Sequence, residues 1–165
     1  MKMSPRLAFL VFAVLAAAPA AGGAAAGFKG NVCTLVPAKQ VTAIAGVSSK
    51  CVNAKPSPGP GSTIYVGNWA GLTSRSPTVQ VTVAVYTDTG VLARAKQNLA
   101  QGLPGPPRRV SGIGSAAFEG KGAGAVGIHV SVGTYIAYIS LNAIGKPPKS
   151  ATVLEPLAKA VAARL

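Results

Sequence analysis

Few side chains in this 165-residue chain can do chemistry, and their types narrow what that chemistry is. Its only acids are Asp88, Glu119 and Glu155, and its only histidine is His129. Hydrolysis by paired carboxylates needs two acids flanking one bond. Asp88 and Glu155 each stand where a helix is predicted to begin, which gives them a capping role instead. Glu119 stands in a glycine-rich turn, where a solvated carboxylate is the expectation. His129 falls on a predicted strand, where a packed imidazole explains it better than a general base. The runs GIGS (112–115) and GKGAG (120–124) match neither the Walker nor the dinucleotide fingerprint. No catalytic residue, cofactor or metal is assigned, and the chain is read as a non-enzyme.

Cys33 and Cys51 are the two cysteines. Structural zinc needs about four ligands in close Cys and His pairs, and a redox pair is normally C-x-x-C; neither pattern is present. A lipidated cysteine would directly follow the apolar core of a leader, and Cys33 lies well beyond it. A disulfide remains, which fits an oxidising compartment. Closing a loop of this size stabilises a fold by about 3 kcal/mol in the chain-entropy model.

The compartment is read from the first residues, MKMSPRLAFLVFAVLAAAPA. Lys2 and Arg6 precede an apolar run from Leu7 to Ala18, as in a secretory signal peptide. That run is about twelve residues, short of the roughly 20 that span a bilayer. Cleavage is expected after Ala20 or after Ala26, since small residues precede both. Residues 1–26 are thus read as signal peptide and 27–165 as a single domain, periplasmic or secreted, with no lipobox and no transmembrane segment after cleavage. A domain of about 140 residues buries some two thirds of its unfolded surface and can build a core unaided.

Charge is the strongest compositional anomaly, with 16 Lys and Arg against 3 Asp and Glu. Without Lys2 and Arg6, 14 basic residues remain against the same 3 acids, a formal +11. Such a balance attracts polyanions, although scattered lysines also simply keep a domain soluble. Arg108 and Arg109 follow a proline stretch, and Lys146 and Lys149 flank Pro147-Pro148. If those loops converge they form an anion-binding patch, arginine being able to engage phosphate or carboxylate bidentately. The partner class is therefore an anionic envelope component or a protein partner. Nucleic acid is not favoured, because Tyr65, Trp69, Tyr135 and Tyr138 lie where strand packing explains them. The alternative is a small hydrolase or ligand carrier with a pocket between sheet and helix.

These residues are positioned by elements that show in the periodicity. Pro37, Val41, Ile44 and Ala45, with Gly46 as the stop, predict a helix over 37–45. Residues 53–61, NAKPSPGPG, read as irregular loop, and 62–69 as a strand. Val79, Val81, Val83 and Val85 alternate with Thr78, Gln80, Thr82 and Ala84, which predicts a strand over 78–87. Asp88 or Thr89 caps a helix over 89–101 with the stripe Val91, Leu92, Ala95, Leu99. LPGPPRR is read as loop. Strands over 125–132 and 134–142 form a hairpin through Gly133. One face of the first is small (Ala125, Gly127, His129, Ser131), so something is expected to pack closely over it. Thr152 and Glu155 fit a capping box for a last helix over 153–164, with Pro156 at its fourth position. Strands followed by helices without βαβ alternation predict an α+β fold with a mainly antiparallel sheet.

The opening from Cys33 through Thr34-Leu35-Val36-Pro37, a short helix ending in Ala45-Gly46, and Cys51 resembles an actinobacterial type of exported protein and lipoprotein of unknown function. Those proteins commonly begin C-S-L-L-T-P before the helix. Val110 to Phe118 is similar to their V-x-G-[IVL]-G-[DS]-x-A-[FY] segment, and Leu157-Ala158-Lys159 to their terminal helix. The resemblance implies a single-domain α/β/α sandwich of the PsbP and Mog type, shared with LpqN-like lipoproteins, usually without an assigned catalytic site. The chain departs from the type in lacking the lipidated cysteine.

Overall fold

A computed structural model of the chain describes residues 28–46, 48, 50–70, 77–143 and 148–165. The signal-peptide reading of 1–26 lies outside the described residues. Eight strands, β1 (Lys50–Asn53), β2 (Ser57–Gly59), β3 (Ser62–Ala70), β4 (Thr78–Tyr86), β5 (Arg108–Val110), β6 (Ala116–Lys121), β7 (Ala125–Val132) and β8 (Tyr135–Asn142), form one sheet. Among the described residues, three α-helices join it: α1 (Ala38–Ala45), α2 (Thr89–Gln97) and α3 (Glu155–Ala162). The strand order is β1-β3-β4-β8-β7-β6-β5, with β2 also paired to β3. Every pairing is antiparallel. The predicted α+β class with a mainly antiparallel sheet is the one observed.

Register assigns the two faces. Val79, Val81 and Val83 stand opposite Leu141, Ile139 and Ala137, which in turn face Val126, Ile128 and Val130. All nine are at most 2 % exposed. They belong to one hydrophobic cluster with Val41 of α1 and Leu154, Leu157, Ala158 and Val161 of the C-terminal segment. Their burial is the main stabilising term, since each such side chain is worth about 1.5–3 kcal/mol on leaving water.

The other face is closed differently. After β4 the chain forms α2, capped by the Asp88 carboxylate, which accepts from Val91 N at 2.8 Å. It then crosses to β5 at the far edge and returns through the β5 to β8 meander. On the way Leu99 is buried, and Pro104 lies so near that a Cβ on Gly127 would stand 3.1 Å from its ring. The close packing expected over Gly127 is therefore present. With α1 and α3 on one face and α2 on the other, the result is a three-layer α/β/α sandwich.

Several local expectations change. Residues 57–59, inside the predicted loop, pair with β3 as an edge strand, where Pro58 is tolerated because it owes no bond on its open side. Arg108 and Arg109 leave the predicted loop to join β5. Helix α2 ends at Gln97, and residues 98–102 form turns that carry Leu99 inward. At the C-terminus, the Ser150 hydroxyl accepts from Thr152 N and caps a 3-10 turn over Ala151–Leu154. The Thr152/Glu155 capping box is not made. Pro156 consequently sits in the first turn of α3, where its missing N–H costs no hydrogen bond.

Candidate anion-binding site

The cationic cluster begins with sheet register. Arg108 of β5 stands opposite Glu119 of β6, and the alternation within β6 puts Lys121 on the same face. Arg108 Nε donates to Glu119 Oε1 at 2.9 Å, and Nη2 donates to the same oxygen. Nη2 also reaches Glu155 Oε1 of α3 at 3.4 Å. The hydrogen bond and charge of Glu119 raise the Arg108 pKa above its ordinary value. Glu119 is only 4 % exposed, so the solvated carboxylate expected there is replaced by a buried one. Its Oε2 is buried without a hydrogen-bond partner. The glycines on either side of Glu119 disguised a strand whose inward position it occupies.

A cleft of about 200 Å³ opens beside this pair, lined by Pro106, Arg108, Glu119, Lys121, Lys149 and Ser150 among others. Lys121 Nζ donates to the Lys149 carbonyl at 2.9 Å, fixing the chain just ahead of the last 3-10 turn. Of the four sequence-predicted residues, Arg108 and Lys149 thus meet at one cleft. Arg109 stands opposite Phe118 and so takes the other face of the sheet. There it borders a separate concavity of about 370 Å³ along Val110–Ala116. Lys146 lies outside the described residues. Lys121 went unrecognised in sequence, although it shares the phase of Ala117 and Glu119.

His129 lies on the face away from Glu119. It stands opposite Phe118 and Tyr138, with its ring edge-on to Tyr138 at 4.6 Å. Its Nδ1–H donates to the Leu99 carbonyl. Burial lowers its pKa, and that hydrogen bond partly offsets the effect. The imidazole therefore ties the α2 turn to the sheet.

A second cleft, of about 480 Å³, lies between the sheet and the C-terminal end of α1. Ile44, Ala45, Pro77, Leu141, Ala143 and Val153 give it aliphatic walls, and Lys149, Ser150 and Thr152 form its polar side. Among the described residues, no group of three or more His, Cys, Asp or Glu is placed to hold a metal ion, and no helix is long and apolar enough to cross a membrane.

The remaining motifs do scaffold work. Cys33 and Cys51 form a disulfide with their Cα atoms 5.7 Å apart, pinning the turn that buries Val32 against Gly67 of β3. In the Val110–Phe118 segment, Ile113 enters the core and Ser115 N donates to the Ser131 carbonyl at 2.8 Å. Gly114 has φ +58°, and a Cβ there would stand 2.4 Å from that carbonyl oxygen, so only glycine fits. No family model, curated protein or solved structure matches this chain.

Proposed function

We propose that this chain is a non-catalytic exported domain of the actinobacterial envelope type it resembles, with the PsbP and Mog kind of sandwich. Its task is to bind an anionic envelope component through surface lysines and arginines. One observation carries the reading: all three acids are engaged inside the molecule. Asp88 caps α2, and Glu119 and Glu155 both hold Arg108. Lys121, Lys149 and Arg109 have no carboxylate partner among the described residues, and their field is available to an outside anion. Arg108 belongs to the framework that positions Lys121 and Lys149. The placement of His129 and Glu119 on opposite sheet faces favours binding over the hydrolase alternative. The aliphatic cleft supports the carrier half of that alternative.

Each such cation contributes about 1 kcal/mol near an anionic surface, screened over a Debye length of about 8 Å at physiological salt. Co-sedimentation with anionic and neutral vesicles at low and high salt tests the reading. The exported protein is expected to bind anionic vesicles at low salt and release at high salt. Lys121→Ala with Lys149→Ala weakens that binding more than Arg109→Ala does. No binding to anionic vesicles at low salt would leave the charge a solubility feature.

A further inference from the structure

The aliphatic cleft and the cationic cleft share two lining residues, Lys149 and Ser150. We infer that together they form one amphipathic site, in which an acyl chain occupies the aliphatic cleft and its anionic head group rests on Lys149 and Lys121. The volume, about 480 Å³, falls within the range of roughly 300–1,000 Å³ typical of small-molecule sites. The apolar walls come from α1, from Pro77 just ahead of β4, from the end of β8 and from Val153, and the polar groups from the single run 149–152. That division suits a ligand with one apolar body and one polar end.

The chemistry of the lining narrows the ligand further. Among the described residues that line it, none is aromatic and none is acidic, which favours a flexible aliphatic chain over a planar ring and admits a negative head. Ser150 and Thr152 supply hydroxyls at the mouth, although their side chains also bond to each other at 2.9 Å. Lys121 reaches the same segment from the neighbouring cleft by its bond to the Lys149 carbonyl. A head group at Lys149 thus meets two ammonium groups, while the two nearby carboxylates are occupied by Arg108. A phosphate or a carboxylate satisfies this equally, so the class is a single-chain anionic amphiphile. The inference rests on the anion-binding reading but adds the acyl chain, which surface attraction alone does not require.

The test uses protein exported by a host expressing the full chain, titrated calorimetrically with lipids below their critical micelle concentrations. The probes are lysophosphatidylglycerol, palmitate, lysophosphatidylcholine and inorganic phosphate. Saturable one-to-one binding is expected for the two anionic lipids, weaker binding by about fivefold for the zwitterionic one, and none for phosphate alone. Comparing the two anionic lipids tells a phosphate head from a carboxylate. Ala143→Trp and Thr152→Trp, two substitutions that fill the cleft from different walls, each abolish uptake, and Lys149→Glu weakens it at least about fivefold. The inference is overturned if neither anionic lipid binds, or if binding survives in both tryptophan variants with native circular dichroism. Equal affinity for lysophosphatidylcholine would remove the head-group assignment. Vesicle binding that persists without monomer uptake would sink the acyl site alone, whereas monomer uptake without vesicle binding would sink the surface reading alone.

Discussion

On one face of the sheet, Val81, Ile128 and Ile139 close against Leu154, Leu157 and Val161. On the other, Gly120 and Gly127 leave a trough in which Pro104 lies, and His129 ties the covering turn down. The first closure is made by large side chains filling volume between regular elements. The second is made by removing side chains so that irregular backbone can approach. Damage to the first should therefore be global, and damage to the second local.

The largest effect is expected from Leu157→Ala. Leu157 is fully buried, and such truncations cost about 2–5 kcal/mol. Urea unfolding should show that loss with an unchanged denaturant slope. A cost near zero would mean that α3 does not hold the first face.

Next comes Cys33→Ser, which opens the 18-residue separation closed by the disulfide at about 3 kcal/mol in the chain-entropy model. Non-reducing mass spectrometry of the wild type should show the mass two hydrogens below that of the dithiol. Finding two free thiols would contradict the pairing.

A smaller and more local effect follows from Gly127→Val. Even a Cβ there stands 2.8 Å from Tyr138 and 3.1 Å from Pro104, and overpacking of this kind costs about 1–3 kcal/mol. Hydrogen exchange should accelerate over residues 98–105 and remain slow in β4 and α3. Uniform acceleration across the sheet would erase the contrast between the faces.

The smallest effect is a pH dependence. Burial depresses the folded-state pKa of His129 below its ordinary value, against the raising influence of the Leu99 carbonyl. The unfolded chain then takes up the proton first as pH falls. Stability is level above about pH 7 and declines below about 6.5, the unfolded value, until the folded-state pKa is passed. The slope stays below the single-proton limit of about 1.4 kcal/mol per pH unit, because the folded and unfolded titrations overlap. His129→Phe should flatten the decline between about pH 7 and 5.5, above the range where carboxylates titrate.

Much of the sheet and of α2 was legible because their signals are local. The valine alternation of 78–87 needs no distant partner to be read, and neither do the paired strands around Gly133. Asp88 ahead of the Val91, Leu92, Ala95 stripe is a capping signal contained in one short segment. The isolation of the two cysteines implied their pairing, since no other ligand or thiol competes for them.

The edges and the candidate site had no such signals. Strand β5 is three residues long, follows two prolines and exists because β6 offers it a hydrogen-bonding edge. Composition set the net charge, and hydrophobic period set the class of fold, because both are sums over the chain. Tertiary structure alone decided that Arg108 is held by Glu119 and Glu155 while Lys121 and Lys149 share a cleft. The reason is physical: strand pairing turns neighbours such as Arg108 and Arg109 to opposite faces, and the fold brings Arg108 and Glu155, 47 positions apart, to one place.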